Sequence, residues 1–317
     1  MAVGMGAERG VATARAEVVK AAVETDVEQM AVFSGGRSLA TGWETPGHSP
    51  GAQGRVDAMV GSAERVLELA RFPRRSDARW SVFSASSSPE RHGMYAEFGL
   101  RALAEVLTLP SVLESIEQQP SARFVDFGSG AGRLLLGAAA MAEWGACTGI
   151  EAVAGLHQIA CDCIGRAESA GALSPGLVSS LHVDGLPHES PEVMTTADVC
   201  FIYSTAFPTA EDGLRLPELS ASLASVLKAG SLVVTTDTLL VGGRFRFEQH
   251  KLVEGDEGER LQCDVWRVVG SPALSYDDAY AEVQAQCMGD DALMQDEKLC
   301  EALEVGLEAV MSDLEKQ

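Results

Sequence analysis

Phe124-Val-Asp-Phe-Gly-Ser-Gly-Ala-Gly-Arg-Leu134 is the stretch that decides the fold. A short apolar run ends in glycines, and a helical pattern starts at once. A buried parallel strand that bends sharply over a ligand and enters the next helix has this form. Gly128, Gly130 and Gly132 permit positive φ and a close backbone approach that a Cβ would block. Their spacing excludes one reading. The dinucleotide fingerprint needs a glycine or alanine three positions after its second glycine, and Arg133 stands there.

The segments downstream repeat the strand–helix alternation. Arg133 to Trp144 reads as a crossover helix, with an alanine run suited to close packing on a sheet. Ala146 to Ile150 reads as the second strand, ending in Glu151. An acid at that tip can accept both hydroxyls of a ribose; it also reads as a cap-like acid for the helix expected over Ala152–Ala170. Ser180 to Asp184 reads as a third strand ending in another acid, which can accept from an adenine amino group. Asp198 to Ser204 is apolar enough for burial on both faces. The helix expected over Leu216–Lys228 stops at Ala229-Gly230, and Ser231–Thr236 is a fifth strand. Arg244–Glu248 and Asp264–Val269 then alternate about a polar segment, which reads as an antiparallel hairpin at the sheet edge.

Upstream, two amphipathic segments are expected, one over Ala12–Val32 and one from Val56 to Leu69, with a loop over Ser34–Gly54 between them. A polar serine loop, Ser84–Pro89, precedes a helix carrying Phe98, Leu100, Leu103, Val106 and Leu107. Tyr95 and Glu97 fall at its start, where they can line a lid or serve packing and the helix terminus. Ser111-Val-Leu-Glu114 reads as a capping box.

Two likenesses follow from these residues. Asp126-Phe-Gly-Ser-Gly-Ala-Gly132 resembles the first motif of class I S-adenosylmethionine (SAM)-dependent methyltransferases. The element order with its terminal hairpin resembles the same class. More narrowly, Tyr95 to Thr236 is similar to the core of the disruptor-of-telomeric-silencing, non-SET type of histone-lysine methyltransferase. Tyr95-Ala-Glu97 resembles that family's Tyr-Gly-Glu. Phe124–Gly132 with Gly149-Ile-Glu151 resembles its glycine loop and ribose acid, and Ala197–Phe207 with Lys228–Val234 resembles its fourth and fifth strand units. The resemblance implies an α/β, Rossmann-like sheet and SAM as cofactor. It places Tyr95, Glu97, Asp126, Gly128, Ser129, Gly130, Gly132, Glu151 and Asp184 around that cofactor. It also implies methyl transfer to a lysine, with histone as substrate.

The sequence departs from the family at the tip of the fourth strand, where a pair of asparagines is replaced by Tyr203 and Ser204. Tyr203, Ser204 and Phe207 are the candidate catalytic residues: a hydroxyl can orient an amine, and aromatic faces can stabilise a cationic centre. No general base stands out, and no metal ligand set is expected. A small-molecule methyltransferase and a non-catalytic scaffold of the same fold are the alternatives.

The 317-residue chain, 46% apolar, can bury one large α/β core plus appendages. No run approaches a membrane span. Seven scattered cysteines without C-x-x-C read as reduced thiols, so cytosol or nucleus is expected. Residues 254–317 hold seventeen acids against four bases. Such a surface repels nucleic acid and suits either solvation or a basic protein partner. Leu293, Cys300, Leu307 and Leu314 repeat every seven, the short end of a coiled coil, so oligomeric state stays open. Three regions are expected: a helical extension and linker over 1–92, a SAM-binding domain over 93–272, and acidic helices over 273–317.

Overall fold

The structure is a computed structural model that describes residues 50–74, 97–211, 213–256, 258, 260–271 and 275–288. Tyr95, the helix expected over 12–32, the serine loop and the 293–314 heptads lie outside the described residues. The described elements run α1 (Pro50–Leu69), α2 (Leu100–Leu107), α3 (Pro110–Glu117), β1 (Arg123–Phe127), α4 (Arg133–Met141), β2 (Ala146–Glu151), α5 (Ala154–Ser169) and β3 (Val178–His182). After them come α6 (Pro191–Met194), β4 (Val199–Ile202), α7 (Pro217–Val226), β5 (Leu232–Thr236), β6 (Phe245–Glu254), β7 (Arg260–Val268) and α8 (Tyr276–Met288).

The strands form one sheet in the order β3-β2-β1-β4-β5-β7-β6. The first five are parallel, and β7 pairs antiparallel with both β5 and β6. This is the expected Rossmann-like α/β sheet with its terminal hairpin. The chain moves outward from β1 through β2 and β3, then returns to lay β4 on the other side of β1. Connections therefore leave in opposite directions at the β1/β4 boundary, and the crevice beyond those strand tips is where open α/β sheets take ligands.

Alternation along each strand feeds two cores. Phe124, Cys147, Val199, Phe201, Val234 and Val265 face α1, α2, α4 and α5. Val125, Phe127, Ile150, Cys200, Val233 and Trp266 face α7. Burying each large side chain contributes roughly 1.5–3 kcal/mol, so the fully buried Phe98, Phe124 and Phe201 weigh heavily in the first core. Mid-helix Gly137 weakens α4 by propensity, yet a Cβ there would stand 2.8 Å from Leu100 and 3.9 Å from Ala63. The missing side chain lets α1 and α2 close onto the sheet.

Several boundaries differ from expectation. α1 starts at Pro50, so the end of the expected loop is helical. α3 starts at Pro110, whose missing N–H suits the first helical position. Ser111 therefore lies inside the helix and caps nothing; its hydroxyl accepts from Gln249 Nε2 at 2.8 Å. β3 comes two residues earlier, leaving Asp184 beyond it. β4 ends at Ile202, and Ser204–Ala206 winds into a 3₁₀ turn. α7 ends at Val226 on an extended Leu227. Gly230 (φ 90°) is the turn into β5, its N–H bonding Val268 O, so it does not stop the helix.

The hairpin strands are longer than expected, and β6 carries an extra residue between Phe247 and Gln249. Buried Arg244 ties the hairpin to the C-terminus of α7. Its guanidinium donates to the carbonyls of Ala224, Leu227, Val269 and Gly270, where a cation also suits the helix dipole.

Candidate functional site

The glycine loop and the tip of β2 are one built unit. Gly128, Gly130 and Gly132 take φ of 86°, 56° and 85°, which side-chain-bearing residues rarely adopt. Gly128 N and Ser129 N both donate to Ile150 O, at 2.8 and 3.0 Å, and Gly132 N closes on Ser129 O at 2.9 Å. Gly130 N donates to Glu151 Oε2 at 2.7 Å. These four amides are thus spent inside the protein. The loop presents its turn and its lack of side chains to a ligand, rather than a row of free N–H groups. Gly149 on β2 is part of the fit, since a Cβ there would lie 2.6 Å from Ser129 Oγ.

Glu151 is 6% exposed. Its second oxygen accepts from Val153 N at 2.7 Å, so the carboxylate clamps the loop on one side and the entry to α5 on the other. Val153 is the cap residue of the helix, which starts at Ala154, so Glu151 sits two residues outside the cap position. Burial raises its pKa, while the N–H bonds from Val153, Gly130 and Ala152 pull it down. Each carboxylate oxygen retains a lone pair, and the carboxylate is held in one orientation.

Asp126 sits on β1 opposite Gly149, buried to 2% exposure, with Oδ2 lacking a hydrogen-bond partner. Burial, and then the charge of Glu151, push its pKa to about 8. Ser129 Oγ is likewise buried without a partner. Two short-changed polar groups beside three glycines mark a place where a ligand can supply the missing contacts.

Asp184 is exposed, two residues past β3, but Val183 N bonds Glu151 O at 3.0 Å and keeps the segment beside the clamp. His182, stacked on His157 at 5.7 Å, lies 3.0 Å by its Nε2 from Ala152 O on the same edge. Glu97 lies in the segment before α2, its carboxylate 3.8 Å from Arg133 Nε.

The three catalytic candidates separate. Tyr203 packs with the first core, its ring 6.0 Å from Phe98. Phe207 packs with the second, stacked on Phe127 at 5.8 Å, and would touch a Cβ at Gly128 at 3.9 Å. The rings thus flank β1 and its glycine loop from opposite faces. Ser204 is fully buried. Its hydroxyl donates to Thr236 O (2.8 Å) and accepts from Thr236 N (2.8 Å) and Thr238 Oγ1 (2.7 Å). That hydroxyl has no capacity left for an acceptor.

Phe98, which meets both Phe201 (5.0 Å) and Tyr203, was legible only as a core position. Arg133 read only as the residue that breaks the dinucleotide spacing, yet it reaches Phe98 O, Glu97 and Asp256. Among the described residues no His, Cys, Asp and Glu group could hold a metal ion, and no helix is long and apolar enough to cross a membrane.

No protein-family profile matches the chain, and no curated protein matches it. Among solved structures, a SAM-dependent methyltransferase from Thiobacillus denitrificans bound to S-adenosyl-L-homocysteine is similar over 74% of this chain and 89% of its own, at 19% identity and a TM-score of 0.37. A 16S rRNA (adenine(1408)-N(1))-methyltransferase from Catenulisporales acidiphilia is similar over 51% and 93%, at 15% identity and a TM-score of 0.34. Precorrin-6y C5,15-methyltransferase from Geobacter metallireducens is similar over 51% and 90%, at 14% identity and a TM-score of 0.34. At such low identity and TM-score these likenesses carry no argument, and the strand order rests on this chain's own sheet.

Proposed function

We propose that the chain is a SAM-dependent methyltransferase that transfers the methyl group to a protein side chain, with a lysine amine as acceptor. The observation that carries the cofactor is the clamp between Gly130 and Glu151, which joins the loop after β1 to the tip of β2, next to the β1/β4 boundary where the connections change direction. The residues fit the group. Glu151 offers fixed lone pairs to ribose hydroxyls, Asp126 offers a buried, unpartnered oxygen to a cationic ligand, and the loop has no side chains to obstruct approach. When bound, the cofactor supplies an electrophilic methyl group on a sulfonium.

The protein has three tasks in this reading. Glu151 and the loop fix the nucleoside, so the reacting centre arrives already oriented; positioning of this kind can supply on the order of 7–11 kcal/mol. Tyr203 and Phe207 exclude water and face the cationic centre with aromatic surface. Ser204, its hydroxyl spent between β4 and β5, holds the strand tips that carry those rings.

Lysine as acceptor comes from the sequence resemblance, and the excess of acids over residues 254–317 favours a basic protein partner over nucleic acid. Two measurements test the proposal. Calorimetry with S-adenosylhomocysteine should show binding, and absence of heat would sink the cofactor assignment. Incubation with labelled SAM, histones and a cell extract should put label in lysine of the protein fraction. Label confined to RNA or small molecules would keep the enzyme and discard the acceptor.

A further inference from the structure

The tip of the β6–β7 hairpin meets the glycine-loop helix across 123 residues of sequence. Arg133, first residue of α4, donates from Nη1 to Asp256 Oδ2 at 2.7 Å and to Phe98 O at 3.3 Å, with Glu97 near its Nε. A cation at a helix N-terminus is disfavoured by the dipole, so Arg133 needs the acids gathered around it. A second feature is independent of that ion pair. Gly99 has φ −68° and ψ 141°, a conformation any residue adopts, so nothing in its backbone calls for glycine. Space does: a Cβ at Gly99 would stand 2.7 Å from Asp256 Oδ1. The Asp256 carboxylate is thus seated in a notch that the lack of a side chain leaves open, one oxygen on the guanidinium and the other against Gly99.

Further back along β6, Lys251 pairs with Glu105 of α2 at 3.4 Å, and Gln249 bonds Ser111 of α3. The hairpin is hooked along the helices that precede the sheet, and Asp256 is the last hook, the one that reaches the cofactor end.

We propose that Asp256 is a positioning residue for the cofactor site: it holds Arg133, and through Arg133 it fixes Glu97 and the N-terminus of the helix that receives the glycine loop. This inference rests on the SAM-binding reading above. The pair is partly solvent-exposed, with Asp256 at 45%, so it contributes little to global stability. Its effect belongs in ligand affinity instead.

The test is calorimetry of the full chain with S-adenosylhomocysteine, beside thermal unfolding without ligand. Asp256→Ala removes the carboxylate, and Gly99→Ala expels it from the notch. Each should weaken binding by about three- to tenfold while leaving the ligand-free midpoint in place. The two changes act on one contact, so the double variant should bind no worse than Asp256→Ala alone. Unchanged affinity in the single variants, or losses that multiply in the double, would overturn the proposal while leaving the cofactor assignment standing. A wild-type chain that takes up no S-adenosylhomocysteine overturns both.

Discussion

The tips of β1 and β2 and those of β4 and β5 lie side by side in one sheet, yet they treat polar groups in opposite ways. At the first pair, Asp126 Oδ2 and Ser129 Oγ are buried without partners, and the Asp126 pKa is pushed up to about 8. At the second pair, Ser204, Thr236 and Thr238 satisfy one another through backbone and hydroxyl bonds. An unsatisfied buried group costs roughly 1–3 kcal/mol, so the first arrangement persists at the expense of stability. Strain of this kind belongs where a ligand will relieve it, and a closed network belongs where rigidity matters. Buried polar groups elsewhere are orphaned as well, among them Ser190 Oγ and, on β7, Asp264. Its Oδ1 accepts from Gln262 while Oδ2 has no partner, and burial raises its pKa to about 7.

The contrast can be broken at either end. The largest effect should follow Ser204→Ala, which strands Thr236 N–H and leaves the Thr238 hydroxyl only its longer bond to Thr236 O; stability should fall by about 2–4 kcal/mol in urea unfolding. A loss no greater than that of an exposed serine would show the network to be idle. At the other end, Glu151→Ala should weaken S-adenosylhomocysteine binding by roughly 1–3 kcal/mol, measured by calorimetry. Unchanged affinity there would remove Glu151 from the site.

Asp126→Asn sharpens the comparison through pH. The folded-state pKa of about 8 stands above the ordinary 3.8, so the folded chain holds a proton that the unfolded chain has lost across that interval. Ligand-free stability should therefore decline as pH rises through it. The Asn variant lacks that slope, and should be more stable than wild type by about 1–3 kcal/mol near pH 8, the gap closing toward about pH 4. Asp264 leaves a residual slope in both proteins. Equal pH profiles would contradict the burial of a proton at Asp126.

The smallest signal is proton release. A cationic ligand favours the ionised carboxyl, so SAM binding near pH 7 should expel a fraction of a proton, and affinity should rise toward about pH 8. Calorimetry in buffers of different ionisation enthalpy reads this directly. Identical heats in all of them would mean that Asp126 does not meet the ligand's charge.

The sheet was legible because apolar runs separated by glycine and proline recur with the period of parallel βα units, and because Glu151 falls at a strand end. The hairpin was legible from alternation in Arg244–Glu248 and Asp264–Val269. Other features were hidden for physical reasons. The Ser111 capping-box pattern lost to Pro110, whose fixed φ starts the helix two residues earlier than that box would. Sequence does not reveal that Ile150 O and Glu151 consume the loop amides. Ser204 looked presentable because only the tertiary fold brings Thr236 and Thr238 to it. Arg133 and Asp256 are far apart in the chain, and no local pattern announces such a pair.

The extra residue in β6 has a wider consequence. Phe245 and Phe247 pair with Val268 and Trp266 on the α7 side, whereas Gln249, Lys251 and Val253 pair with Val265, Cys263 and Leu261 on the opposite side. All five are odd-numbered, and an unbroken strand would point them the same way. Glu248, held by Arg246 and Arg267, absorbs the half-step that turns the far end of the strand over. Drawing Glu248 into regular pairing would change no residue, yet it would aim Gln249 and Lys251 away from their helices; excising it would instead leave Gln249 directly after Phe247 and keep both where they point now.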